Sequence, residues 1–350
     1  MGNLTFIGTA DMPAARPSAT VFRTALATVL AALFAHGALL PGIAAAQGAT
    51  APLASAAQGL ISIKTSDGVA LAVDVAGQGL PCLYLHGGPG NGSESIARLA
   101  GPMLQQHFKM IYLDQRGSGR SASDPNKNYT MERMIQDLED VRERLQIKQW
   151  VVMSHSFGGT IAAAYARKHP GRVQGLVLVN SILNLPASME STVSYGYSLL
   201  PAATRPPMDP AAPLPQRFGM VMGMLGQAKL SGKLMYRDDA SEARVQAAMK
   251  GLATNQDMAA TLFQTSAISG YLEDFAPSTA ALRMPVLVVT GSEDHVSGVE
   301  LYKAFRFPNQ SVLTVPGKHN ALIENQAEVS KALAGFSASL SAQPGATPLR

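Results

Sequence analysis

Trp150-Val151-Val152-Met153-Ser154-His155-Ser156-Phe157-Gly158-Gly159 reads as a buried strand that breaks into a sharp turn. The run that follows, Thr160-Ile161-Ala162-Ala163-Ala164-Tyr165-Ala166-Arg167-Lys168-His169, reads as a helix closed by Pro170-Gly171. A serine at such a turn is forced into a strained backbone that lifts its hydroxyl above the sheet. Small neighbours are needed because the helix packs close behind. Ser154 stands where the first glycine of this pattern is usual, as a small substitute. Taken alone, the motif also fits an ordinary strand-helix loop. Two further motifs, His86-Gly87-Gly88-Pro89-Gly90 and Asp114-Gln115-Arg116-Gly117-Ser118-Gly119-Arg120-Ser121, turn the reading toward a serine hydrolase.

A serine hydroxyl is a poor nucleophile at neutral pH, so it needs a histidine to take its proton and a carboxylate to orient that imidazole. The expected chain order is serine, acid, histidine. Residues 285–290 form a strand-like run ending in Gly291-Ser292-Glu293-Asp294-His295, which makes Asp294 the expected acid and Glu293 the runner-up. A strand over 311–315 leads into Pro316-Gly317-Lys318-His319-Asn320. His319 is therefore placed at the carboxyl edge of the sheet, where open α/β sheets gather their ligands. Of the seven histidines, only His295 rivals it, because it follows the proposed acid directly. For the oxyanion hole, Phe157 supplies one backbone N–H and the loop after the third strand, 81–85, supplies the other. Gly88 is the expected second donor and Gly87 the alternative, with Gly87 and Pro89 shaping the substrate side.

The chain has 350 residues, 47% of them apolar, enough for one large α/β domain with an insertion. Arg16 and Arg23 precede an apolar stretch over 24–40 and an Ala44-Ala45-Ala46 site. That pattern makes 1–46 a signal peptide, with Met12 as an alternative start and a retained membrane anchor as the competing reading. An exported, periplasmic or extracellular bacterial protein is expected, with no stable membrane association once the leader is cleaved. The lone Cys82 can form no internal disulfide, which a chain with a large core does not need. The net charge of +4 is unclustered and gives no argument for nucleic acid. No metal-ligand or phosphate-loop spacing is present, so no cofactor or metal is expected.

Residues 47–59 read as a linker, 60–180 and 284–340 as the core, and 181–283 as an inserted cap. Strands are expected over 60–65 and 69–75, joined by Ser66-Asp67-Gly68. The segment 130–148 puts Met131, Met134, Ile135, Leu138, Val141 and Leu145 on one helical face, leaving its charges for a solvated face. Alternating strands and helices imply a mostly parallel, doubly wound sheet. In the cap, Met208, Met220, Met222, Met224, Met235, Met249 and Met258 read as helix packing, though methionine also suits an adaptable apolar pocket.

On the glycine motif, the 114–121 motif and the segment from Asp137-Leu138-Glu139 through Trp150 into the turn, the chain resembles the proline iminopeptidase branch of the α/β-hydrolase superfamily. The resemblance covers roughly 60–180 and 285–325. It implies the α/β-hydrolase fold with a helical cap, Ser156 as nucleophile, Asp294 as orienting acid and His319 as general base. It also implies cleavage of an N-terminal residue or small amide, with a short peptide or small molecule as substrate. The glutamate-bearing aromatic stretch by which that branch holds a free amine is not found here. The cap carboxylates Glu190, Asp238, Asp239, Glu242, Asp257, Glu273 and Asp274 read as surface charges. An esterase, lactonase or carbon-carbon hydrolase on a small apolar substrate is one alternative, and a low-turnover ligand-binding protein is another.

Overall fold

The computed structural model describes residues 58–203 and 205–342. The expected leader and nearly all of the expected linker lie outside them. Strands β1 (Gly59–Lys64), β2 (Ala70–Ala76), β3 (Pro81–Leu85), β4 (Lys109–Leu113), β5 (Trp150–His155), β6 (Val173–Val179), β7 (Val286–Gly291) and β8 (Gln310–Val315) form one sheet. Their order is β1-β2-β4-β3-β5-β6-β7-β8. From β4 through β8 the neighbours are parallel, while β2 runs antiparallel to both β1 and β4. The β1–β2 turn closes at Gly68, whose φ of +92° suits a residue without a Cβ.

Strands β3, β4 and β7 are buried along their whole length, and their continuous apolar runs supply both faces. Side chains alternate across a strand, so the sheet divides its residues between two cores. Leu83, Leu85, Ile111, Leu113, Val152, Leu176 and Val288 belong to one. Cys82, Tyr84, Met110, Tyr112, Val151, Met153 and Val289 belong to the other. Helices α1 (Glu94–Leu99), α2 (Gly101–Leu104), α3 (Met131–Arg144) and α4 (Gly158–Lys168) join the first strands. Between β6 and β7 come α5 (Leu185–Leu199), α6 (Leu214–Gln227), α7 (Gly232–Met235), α8 (Asp239–Met249) and α9 (Asp257–Leu262). Helices α10 (Ala321–Glu324) and α11 (Gln326–Ser341) follow β8.

The apolar face expected of α3 is present, with Thr130 capping its start by accepting from Arg133 N. The solvated face expected for its charges is present only in part: Glu132 and Glu143 are exposed. Asp137, Glu139 and Arg142 are buried. Arg116, from the 114–121 loop, is fully buried and forms a two-pronged pair with Asp137 at 2.6 Å on each arm. It also donates to Asp124 at 2.6 Å and to Asp67 at 3.1 Å. Glu139 takes two bonds from Arg142 and one from Tyr165 of α4. Periodicity along one helix cannot reveal a cation that arrives from another loop.

Asp114 performs a related task at the end of β4. It accepts from Ser93 N and Oγ, both at 2.6 Å, and from Arg120 N and Nε at 2.9 and 2.7 Å. The loop after β3 and the loop after β4 are thereby tied together. His86 is held in the same way, its Nε2 accepting from Gln115 N at 3.0 Å and its Nδ1 donating to Gly87 O at 2.7 Å. The 114–121 motif thus braces the glycine loop.

Candidate active site

Ser156 sits between β5 and α4 with φ at +53°, a left-handed conformation that is costly for a residue with a Cβ. The turn is held by Ser156 N donating to Asn180 O at 3.1 Å, and by Ser156 O accepting from Gly159 N and Ile182 N, each at 2.9 Å. The small flanking residues have a steric cause. A Cβ on Gly158 would stand 2.5 Å from Leu85 O, and one on Gly159 would stand 2.7 Å from Ser181 Cβ. Ser154 is tolerated because its buried hydroxyl pairs with Ser181 Oγ at 2.9 Å.

The loops after β7 and β8 bring Asp294 and His319 to this turn. His319 Nε2 lies 2.8 Å from Ser156 Oγ, and its Nδ1 lies 2.9 and 3.0 Å from the two Asp294 oxygens. A carboxylate only accepts, so Nδ1 carries a proton and Nε2 is left to accept from the serine hydroxyl. Burial alone would push the Asp294 carboxyl up. The adjoining His319 and the bonds from His319 and Ser297 outweigh it and bring it down to about 2. Val296 N, Ser297 N and Ser297 Oγ also donate to Asp294, so the carboxylate is fully engaged.

Glu293 is exposed. The His295 ring stacks on Tyr195 at 3.8 Å, occupied away from the serine. Phe157 and Gly88 both line the cavity beside Ser156, with Pro89 next to them. Gly87 presses on Ser156, since a Cβ there would stand 2.8 Å from Ser156 Cβ.

Three contributors escaped the sequence reading. Asn180, at the end of β6 with φ at +46°, donates through Nδ2 to Asp294 Oδ2 at 2.7 Å and to Lys318 O at 3.1 Å. Its Oδ1 accepts from Ala321 N at 3.2 Å, so one amide clamps the acid and both flanks of His319. Ser297 is the second. His155, next to Ser156, is the third, donating through Nε2 to His319 O at 2.8 Å. Only a polar residue ending the apolar run 173–179 hinted at the first.

The cavity runs from Ser156 under α5, α6 and α7. Its wall is made by Ile182, Leu185, Met189, Phe218, Met222, Leu234, Met235, Phe263 and Val296, with Ser188 and Thr192. Both hydroxyls are already used within the protein, Ser188 Oγ on Ser297 O and Thr192 Oγ1 on Ser188 O. Met222 and Met235 therefore face the cavity, whereas Met258 is buried in the core. The cap carboxylates lie elsewhere. Glu190 pairs with Arg217 at 2.7 Å, Asp257 with Lys127 at 2.6 Å, Asp239 with Lys233 at 2.5 Å, and Glu273 with Arg167. Asp238 caps α8, and Asp274 accepts from Ala276 N.

A β-strand, a tight serine turn, and acid and histidine on later loops of the same sheet edge define the α/β-hydrolase architecture. The sequence profile of the alpha/beta hydrolase fold matches residues 81–326, and the chain belongs to that family. Within the family it is similar to the proline iminopeptidase of Neisseria gonorrhoeae, 40% identical over 113 residues, which cover 31% of this chain and 35% of that protein. The Arabidopsis thaliana proline iminopeptidase is 38% identical over 122 residues, covering 33% of this chain and 31% of that protein. The match thus spans about a third of the length of these curated relatives. Among solved structures, a proline iminopeptidase-related protein from Thermus thermophilus superposes with a TM-score of 0.66 at 22% identity, covering 81% of this chain and 98% of that one. A thermophilic esterase from Thermogutta terrifontis does so with a TM-score of 0.59 at 22% identity, covering 80% and 98%. At such identities the likeness is one of fold.

Proposed function

We propose that the chain is a serine hydrolase that cleaves an ester or small amide with an uncharged, apolar acyl group through an acyl-enzyme on Ser156. In this reading His319 takes the serine proton as Oγ attacks the carbonyl carbon, and Asp294 holds the imidazole and stabilises its charge. The Phe157 and Gly88 N–H groups receive the oxyanion. His319 then passes the proton to the leaving atom, and water reverses the sequence to release the acid.

The observation that carries the substrate class is the cavity wall, in which His319 is the only titratable side chain among the described residues. A buried ammonium without a paired carboxylate is strongly disfavoured, so a free α-amine has no counter-charge here. The 40% identity over 113 residues to a proline iminopeptidase favours aminopeptidase cleavage as the second reading. The decisive experiment compares kcat/KM on a short-chain nitrophenyl ester, proline arylamide and N-acetylated proline arylamide, with Ser156→Ala as background. Ester turnover well above free-amine amide turnover is expected. A strong preference for the free-amine amide would overturn the substrate class and leave the triad standing. Ester turnover in Ser156→Ala equal to that of the unaltered protein would overturn the serine mechanism. The leader reading makes this an exported enzyme, and N-terminal sequencing of the secreted protein, expected to begin at Gln47, tests it.

A further inference from the structure

The stretch that carries His319 is gripped from two sides. On the side of the sheet, Asn180 bonds to both its flanks and His155 Nε2 donates to His319 O at 2.8 Å. The other side belongs to the helices inserted between β6 and β7. His319 N donates to Met235 O at 3.1 Å, and Asn320 Nδ2 donates to the same carbonyl at 3.0 Å. Lys318 Nζ donates to Lys233 O. Donors also cross in the opposite sense, Arg237 N to Glu324 Oε1 at 2.8 Å and Arg244 Nη2 of α8 to Ile323 O. Residues 318, 319 and 320 thus each bond to α7, and α10 behind them bonds to the chain just beyond it. The side chains of Leu234 and Met235 meanwhile line the apolar cavity with Ser156 and His319. One helix of four residues therefore presents side chains to the cavity and a backbone carbonyl to His319.

Resting on the acyl-enzyme reading above, we propose that α7 helps to aim His319, and that Asn320 and Glu324 are positioning residues that clip α7 to the histidine loop. A helix of four residues does not hold itself together in water, so the place of α7 is set by what it bonds to. The Met235 carbonyl fixes the His319 backbone opposite the His155 bond, and the imidazole swings about that backbone. A small shift of the carbonyl therefore moves Nε2 away from Ser156 Oγ, now 2.8 Å distant, and proton transfer depends on that reach. Asn320 takes the second lone pair of the carbonyl, and Glu324 anchors the chain two residues further on, at Arg237. An acyl group packed against Leu234 and Met235 bears on the same helix, so filling the cavity steadies the histidine. Contact energy used in this way raises kcat and does not merely lower KM. The helices over the cavity are then part of the support of the base as well as a wall for the substrate.

The test measures kcat and KM on a short-chain nitrophenyl ester, the rate at which a small fluorophosphonate labels Ser156, and hydrogen exchange at the His319 amide. The proteins compared are the unaltered chain, Asn320→Ala, Glu324→Ala and Glu324→Gln. Each alanine variant should lower kcat and the labelling rate by about five- to tenfold, the effect of one lost hydrogen bond, with KM within about twofold. Exchange at the His319 amide should quicken by a similar factor while exchange in the sheet strands stays unchanged, which separates release of α7 from misfolding. Glu324→Gln keeps an acceptor for Arg237 N and should stay within about twofold of the unaltered protein in every readout. A raised KM with an unchanged labelling rate, as a merely loosened cavity wall would give, would overturn the positioning role. So would kcat unchanged in both alanine variants, or a loss in Glu324→Gln equal to that in Glu324→Ala. Hydrolysis and labelling of the unaltered protein no faster than in Ser156→Ala would instead overturn the hydrolase reading on which the proposal rests.

Discussion

Asn180→Gly removes the amide that clamps Asp294 and both flanks of His319 while leaving the nucleophile and the cavity wall untouched. Glycine is the informative replacement because φ at this position is +46°, where alanine would add backbone strain to the loss of hydrogen bonds. The bond to the Asp294 carboxylate at 2.7 Å is of the charged kind, worth about 1.5–3 kcal/mol, and the bonds to Lys318 O and Ala321 N are each worth about 0.5–1.5 kcal/mol. Because all three share one side chain they do not add fully, and about 2–4 kcal/mol of folding stability should be lost. Catalysis should suffer separately. Release of the His319 loop by a fraction of an ångström should lower kcat about 10- to 100-fold. KM should move little, since Asn180 is not among the residues lining the cavity. Denaturant unfolding with ester kinetics reads both quantities. Asn180→Asp supplies an orthogonal check, because a second carboxylate at 2.7 Å from Asp294 repels it and should move the acid limb of the pH-rate profile upward. If Asn180→Gly keeps kcat within twofold while Asp294→Asn is crippled, the clamp has no part in positioning the histidine.

Three further expectations rest on named contacts. His319→Ala should lower kcat by about three orders of magnitude or more, whereas His295→Ala, which removes only the stack on Tyr195, should leave it within a few-fold; the reverse ranking would identify His295 as the base. Arg116→Met leaves Asp137 and Asp124 buried without their main partner, so unfolding free energy should fall by about 3–5 kcal/mol; a loss below about 1 kcal/mol in a denaturant titration would show that the buried pairs contribute little. The His155 imidazole is held down to about 4 from an ordinary value of 6.5, so below pH 6.5 the unfolded chain takes up a proton that the folded chain refuses. Its contribution is fully present above pH 6.5 and is lost toward pH 4 by about 1.4 kcal/mol per pH unit, with the depressed His86 acting in the same direction. His155→Gln should flatten that slope by about one proton, and an unchanged slope would place the acid sensitivity elsewhere.

The strands and the serine turn were legible because each is local. Apolar runs such as 81–85 and 286–290, and the crowded Ser156-Phe157-Gly158-Gly159 turn, carry their structural instruction within a few residues. Asp294 and His319 were legible for a related reason: a loop that follows a parallel strand emerges at the same sheet edge as every other such loop. Their meeting at Ser156 was beyond any local pattern, since it depends on β5, β6, β7 and β8 lying side by side. The same limit hid the partners of Arg116, which reach it from the first hairpin, its own loop and α3, so that Asp137, expected in solvent, is in the core. It also hid Asn180, which is an ordinary polar residue at a strand end until three loops converge on it. The substrate space belongs wholly to the tertiary level. Leu185, Met189, Phe218 and Met222 become one apolar wall only when α5 and α6 pack over the sheet edge. Periodicity reports which side chains leave water; which atoms they then meet is set by contacts between residues far apart in the chain.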